Sequence, residues 1–135
     1  MRSFYRALGP TYRRRATIVG IHNYSDVNRK RYTGTRAIIH EAHHYNRHSK
    51  LWFTETGGIV KFGKSFPCSS NRAKYRIRYM FERARRYKSY VQRMYAYSWS
   101  GNDCRERFDA GLVSRAGTPR TGYYEFKRGL RHFRT

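Results

Sequence analysis

The chain has 135 residues, 39% hydrophobic and 17% aromatic, which allows one domain with a modest core and excludes a disordered tail. Its formal charge of +22, from 30 Lys and Arg against 8 Asp and Glu, suits weak non-specific binding to nucleic acid and disfavours a strongly compact state. No apolar run reaches the ~20 residues of a membrane span, so no membrane partner is expected.

Met1 to Arg6 carries charge like a signal n-region, but Arg13, Arg14 and Arg15 interrupt any apolar stretch after it, which leaves localisation open. Residues 1–15 read as a basic helical lead-in, with a helical piece from Ser3 to Leu8 stopped by Gly9-Pro10. Ala16 to Ile21 is a short β-branched run, expected as a strand buried on both faces. His22 to Arg31 reads as a polar loop. Thr35 to His48 reads as a helix with Ile38, Ala42 and Tyr45 on one face. Leu51 to Thr54 is a second buried strand, with Trp52 expected in the core, and a Gly-rich loop follows it to Pro67. Ala73, Ile77, Met80, Ala84, Tyr87 and Val91 step by three and four, which predicts one apolar stripe on a helix. Met94 to Trp99 is a third strand, expected near 93–98. A long loop runs from Ser100 to Gly117. Thr118-Pro119 predicts an N-cap, and Tyr123, Phe126, Leu130 and Phe133 a closing amphipathic helix. Strands alternating with helices imply an α/β fold, and right-handed crossovers place all three strand ends on one edge of a parallel sheet.

That edge collects the residues suited to chemistry. His22 and Tyr24 follow the first strand, Glu55 follows the second and Trp99 ends the third. Ligands bind at the carboxyl edge of parallel sheets. A carboxylate can attack or stabilise an oxocarbenium-like centre, a phenol can orient it, and an indole offers an apolar face to a sugar ring. Glu55 also suits a loop ion pair with an arginine, and His22 a structural role.

Leu51-Trp52-Phe53-Thr54-Glu55-Thr56-Gly57-Gly58 resembles the seventh-strand nucleophile motif of retaining (β/α)8 glycoside hydrolases, an apolar run followed by Thr-Glu-x-Gly. Gly20 to Tyr24 resembles the sixth strand of that family, whose His and Tyr line the cleft. Tyr97-Ser98-Trp99 resembles the eighth, whose Trp floors the sugar subsite. Phe108 to Val113, Gly117 to Arg120 and Tyr123 to Phe126 are similar to the closing loop and last helix. The resemblance implies a partial (TIM) barrel of strands six to eight in one domain over 1–135. It implies Glu55 as the catalytic nucleophile and His22, Tyr24 and Trp99 as substrate-binding residues, with a carbohydrate substrate and no cofactor.

A complete barrel needs roughly 250 residues, and the acid/base glutamate after the fourth strand has no counterpart here. The expectation is therefore an incomplete copy, from truncation, a split gene or degeneration, that is inactive alone and associates with a missing N-terminal half or with itself. Asp26, Asp103 and Asp109 are the other acids singled out on the edge loops.

Two further motifs compete. His40-Glu41-Ala42-His43-His44 fits H-E-x-x-H, in which two His on one helix face chelate zinc with the Glu as base. It lies where a crossover helix is required, so no metal site is assigned, although His40, His44 and His48 suit adventitious metal binding. Arg interleaved with Tyr over 75–79 and 85–88 suits gripping phosphates and stacking bases, the alternative of a nucleic-acid-binding protein. Arg outnumbers Lys by 23 to 7, which fits phosphate recognition or the codon bias of a GC-rich genome. Cys68 and Cys104, in loops after adjacent strands, are expected within bonding reach.

Overall fold

The computed structural model describes residues 1–132. In chain order the elements are α1 (Arg2–Ala7), α2 (Pro10–Arg15), β1 (Ile18–His22), α3 (Tyr24–Asn28), α4 (Thr33–Tyr45), β2 (Lys50–Thr56), β3 (Lys61–Phe62), α5 (Ser70–Arg86), β4 (Val91–Ala96), β5 (Phe108–Asp109) and α6 (Thr121–Leu130). β1, β2 and β4 form one parallel sheet in the order β1-β2-β4, with β2 in the centre. Parallel neighbours require crossovers, and α4 and α5 supply them. All three strands end on one edge, as expected.

The outer face of the sheet builds the core. Leu51 and Phe53 are fully buried and pack with Ile21 and Ile39. Each large side chain buried this way stabilises the fold by about 1.5–3 kcal/mol. A second cluster joins Val27, Ile77, Met80, Phe81 and Leu112, with Tyr123 and Phe126 of α6 packed against it. The α5 stripe is buried at Ala73, Ile77, Met80 and Ala84. Val91 leaves it: α5 ends at Arg86, a turn follows, and Val91 opens β4. A three-four spacing does not by itself mark where the helix stops.

The opposite face of the sheet is open. The strand around Ile18 is not buried on both faces, and Ile18 itself is 49% exposed. Trp52 is not core either. It lies half-buried on the open face beside Tyr95, under the Arg93 guanidinium, with its Nε1 donating to Gln92 Oε1 at 2.9 Å. The periodicity of β-branched residues shows that a face can be covered, not that anything covers it.

Other differences have local causes. The stretch after β1 contains a helix, α3, instead of a polar loop. Asp26 on α3 is buried, and its carboxylate accepts from the backbone N–H groups of Gly34 (3.3 Å) and Thr35 (2.6 Å), satisfying the first turn of α4. α4 ends at Tyr45, three residues before His48, because the amide of its C-cap Asn46 donates to the carbonyls of Arg13 and Arg14. The basic lead-in is two short helices, α1 and α2, anchored by Tyr5, which is buried and stacks on Tyr45 at 4.8 Å. α6 starts at Thr121 with Arg120 as N-cap, not at Thr118-Pro119, because Pro119 bridges to Val113 in the preceding turn. Leu130 is 40% exposed, since the face of α6 toward α5 carries Gly122, Glu125 and Gly129 instead. The expectation for Phe133 lies outside the described residues.

The loops at the strand ends are tied together. β3 and β5 pair antiparallel, and Cys68 and Cys104 are bonded with Cα atoms 5.9 Å apart. Buried Asn28 donates to Gly57 O at 2.9 Å and accepts from Ile59 N at 2.7 Å, fixing the chain that leaves β2. Close packing requires glycine there. A Cβ at Gly58 would lie 2.1 Å from Ala73 O, and one at Gly57 2.7 Å from Tyr97 O.

Candidate functional site

Glu55 is the penultimate residue of β2 and His22 the last of β1. A register shift between Ile21 and His22 pairs His22 with Glu55, and His22 Nε2 lies 3.6 Å from Glu55 Oε1. That distance is long for a hydrogen bond, and it is an ion pair only when the imidazole is protonated. The Glu55 side chain is 36% exposed.

Tyr24, the first residue of α3, sits over the same edge. Its phenol is pushed well above the ordinary tyrosine range, first by burial, then by the charge of Glu55 and by Tyr97. It therefore remains a protonated donor, and its hydroxyl donates to Tyr97 O at 3.3 Å. Phe108 meets Tyr24 edge-on at 5.7 Å and stacks with Tyr97 at 6.3 Å. The carboxylate thus stands beside an imidazole and a neutral phenol, with aromatic rings on one flank.

Trp99 is less integrated. β4 ends at Ala96, so Trp99 lies in the following loop, 62% exposed and edge-on to Tyr123 at 5.9 Å. Tyr97, from the same tripeptide, is the aromatic in direct contact with Tyr24. A cavity of about 310 Å³ adjoins it, lined by Tyr97, Ser98, Asn102, Glu106 and Phe108 among others. Phe108 and Glu106 were not singled out from the sequence. The available signal was an acid and an aromatic two and four residues after Cys104, in the loop held by the disulfide.

The three aspartates are committed elsewhere. Asp26 caps α4. Asp109, with a fully buried side chain, pairs with Arg120 at 2.8 Å and accepts from the backbone N–H groups of Asn102, Cys104 and Gly111. Burial pushes its carboxyl up, but Arg120 and the N–H groups of Gly111 and Cys104 outweigh burial and hold it below the usual range. Asp103 binds the other side of the same guanidinium at 2.8 Å.

The H-E-x-x-H stretch lies on α4, and Glu41 is gripped by Arg2 Nε at 3.0 Å and Nη2 at 3.2 Å, which holds its carboxyl low. His43 Nε2 lies 2.8 Å from Ser49 O. Among the described residues no group of three His, Cys, Asp or Glu could hold a metal ion, whereas catalytic zinc takes three protein ligands. No helix among them is long and apolar enough to cross a membrane.

No family model and no curated protein matches the chain. Solved structures do. A β-glucuronidase from an uncultured Clostridium species superposes with a TM-score of 0.61 at 16% identity, over 85% of this chain and 23% of that one. The Bifidobacterium dentium β-glucuronidase, solved with coumarin-3-O-glucuronide, gives 0.60 at 11% identity, over 84% and 21%. The glycoside hydrolase family 17 β-1,3-glucanosyltransferase of Rhizomucor miehei gives 0.59 at 9% identity, over 87% and 46%. The chain thus spans less than half of each of these proteins, and at such identities the likeness is one of fold. Three parallel strands alternating with helices make this an α/β chain folded like part of the TIM-type barrel of glycoside hydrolases.

Proposed function

We propose that this chain carries the nucleophile half of a retaining glycosidase site, with Thr54-Glu55-Thr56-Gly57 as the seventh-strand motif and its three strands as six, seven and eight of a barrel. One observation carries the reading. In a chain of charge +22, Glu55 ends the central strand with a half-open carboxylate that no arginine engages among the described residues. Its neighbours are an imidazole and a phenol that stays protonated. Leaving a carboxylate unquenched among so many cations keeps it available as a nucleophile.

In this mechanism Glu55 attacks the anomeric carbon of a bound sugar and forms a glycosyl-enzyme ester. His22 and the protonated phenol of Tyr24 border the carboxylate, and Trp99 offers its exposed face to the ring. A second carboxyl about 5 Å away must protonate the leaving oxygen and then activate water. Asp26, Asp103 and Asp109 are occupied, and Glu106 lines a cavity that Glu55 does not border, so that group comes from the strands that would complete the barrel. The open face with Ile18, Trp52, Arg93 and Tyr95 is where those strands dock. The Cys68–Cys104 bridge suits an oxidising compartment.

The test joins this chain to the first five β/α units of a homologous barrel. The chimera should release the aglycone from an aryl glycoside, Glu55→Gln should abolish release, and the isolated chain should show none. A folded chimera whose turnover is indifferent to Glu55→Gln sinks the assignment. Turnover by the isolated chain sinks the requirement for an outside acid, and Glu106 is then the first residue to replace.

A further inference from the structure

A cavity lies away from the sheet edge, between the turn after α3 and the N-terminal half of α5. Its volume is about 630 Å³, and it is lined by Lys30, Ser69, Asn71, Arg72, Tyr75, Arg76, Arg78, Tyr79 and Glu82. None of His22, Tyr24, Glu55 or Trp99 borders it. Tyr75 and Arg76 lie three and four residues after Arg72 and four and three before Tyr79, so the four share one face of α5. Lys30 comes from a different element, on a backbone with φ of 53°. The Tyr79 hydroxyl donates to Arg31 O at 3.3 Å and ties that turn to α5.

The cavity is short of negative charge. Four cations face one carboxylate, Glu82. Arg78 is already matched by Glu125 at 2.9 Å, which leaves Lys30, Arg72 and Arg76. Arg72 uses Nη2 to hold the carbonyls of Val60 (2.9 Å) and Pro67 (2.6 Å), and its Nε is buried without a hydrogen-bond partner among the described residues. The Nε of Arg76 is in the same condition. Burial and the charge of Arg76 both disfavour the Arg72 cation. Two like-charged guanidiniums share one hollow with no carboxylate paired to either among the described residues, an arrangement that an anion bound between them would relieve. Guanidinium groups match phosphate geometry. The Tyr75 ring is 49% exposed and has Lys74 Nζ and Arg78 Cζ each 5.6 Å from its centroid, so a base stacks on it once one of these cations swings aside.

We propose that this cavity is a phosphate-binding site, in which Arg76, Arg72 and Lys30 clamp adjacent phosphate groups and Tyr75 and Tyr79 border what those groups carry. The shared chemistry is a chain of phosphates, borne by a nucleotide or by a nucleic-acid backbone. This site does not depend on the glycosidase reading, since it uses none of that site's residues.

The test uses the full chain and calorimetric titration with pyrophosphate, ADP and a short single-stranded oligonucleotide, at about 0.15 M salt to suppress diffuse attraction. Lys30→Gln with Arg76→Gln removes two charges from the cavity. Arg14→Gln with Arg15→Gln removes two from the exposed face of α2. Arg72 is left intact because it holds the loop. The first pair should weaken pyrophosphate binding at least about tenfold, and the second less than about twofold. Preference for ADP over pyrophosphate, lost in Tyr75→Ala, identifies a nucleotide as the source. Preference for the oligonucleotide, with pyrophosphate competing for it, identifies a backbone. Equal losses from both charge pairs, or no saturable binding of any of the three probes, overturn the site.

Discussion

The edge around Glu55 and the loop around Asp109 lie close together, and each presents an acid to a strongly basic molecule, but they treat it in opposite ways. Asp109 is completely buried, saturated by three backbone N–H groups and locked to Arg120, whose other side holds Asp103. Glu55 is partly open and has a histidine at 3.6 Å. Three more acids follow the Asp109 pattern: Glu41 is held by Arg2, Glu125 by Arg78 and Arg128, and Asp26 by the first turn of α4, whereas Glu82 and Glu106 have no ion pair among the described residues. With 30 cations for 8 acids, an arginine is available almost everywhere. The contrast teaches that position at a strand end does not identify a functional acid here. Position and the absence of a cationic partner together do.

If the contrast is real, the two acids differ most in their effect on stability. Asp109→Asn should cost on the order of 3–5 kcal/mol, because it leaves Arg120 buried against a neutral amide. Urea unfolding followed by circular dichroism reads the change. A loss under about 1 kcal/mol would make Asp109 as dispensable as an exposed acid and erase the distinction. The pH dependence has a fixed sign. A carboxylate held low in the folded state contributes stability that is present above the unfolded aspartate pKa of about 4 and lost as pH falls through the lower folded value. Wild-type stability should fall on acidification below about pH 4, and the Asp109→Asn curve should be flatter there.

The disulfide comes next. Cys68 and Cys104 are 36 residues apart in sequence, and replacing both with Ser should cost about 2–4 kcal/mol. The bridge joins the loop after β2 to the one after β4, so the variant should also loosen the Asp109–Arg120 clamp. Hydrogen exchange at the amides of Asn102, Cys104 and Gly111 should quicken more than exchange in α5. Uniform quickening would mean that the bridge acts on the whole fold.

Much of the architecture was legible. Three apolar runs at crossover spacing marked the parallel sheet, and the buried half of the α5 stripe was placed correctly. What was hidden depended on tertiary partners. α3 looks like a polar loop because its value lies in Asp26 and Asn28 bonding to backbone elsewhere, a use that no periodicity encodes. Trp52 and Ile18 looked like core because the pattern of a strand is the same whether or not its second face is covered. At the edge, His22, Tyr24 and Glu55 were legible as neighbours, while Trp99 stood out only as an indole and turns out to lean on Tyr123. Phe108 and Glu106 reach the cavity beside Tyr97 through a loop whose path is set by the disulfide, for which the proximity of Cys68 and Cys104 was legible, and by the β3–β5 pair, which local sequence does not reveal.

Glu125 sharpens the comparison from an intermediate position. Its side chain is 9% exposed but its partner Arg78 is 42% exposed, so solvent screens half of the pair. Glu125→Gln should cost roughly 1–2 kcal/mol, less than Asp109→Asn, because a hydrogen bond to a charged group is lost without stranding a buried ion. About 1 M NaCl should narrow the gap between this variant and wild type more than it narrows the gap for Asp109→Asn.

The smallest expected effect is the most informative. Glu55→Gln keeps the shape of the side chain, and it removes a charge whose neighbours are an imidazole beyond hydrogen-bonding distance and a phenol that donates elsewhere. No arginine is left unpaired. Stability should therefore change by no more than about 0.5 kcal/mol at neutral pH, the range of an exposed substitution. Its direction should be slightly favourable at high pH, where removing the carboxylate charge relieves the phenol of Tyr24, whose ionisation burial and Glu55 both oppose. Spectrophotometric titration of tyrosine should then show one phenol ionising at lower pH in Glu55→Gln than in wild type. A stability loss of about 2 kcal/mol or more would place Glu55 with Asp109 among the acids that hold the fold together. A negligible loss together with the shifted phenol is the behaviour of a carboxylate that the fold does not need for its own stability.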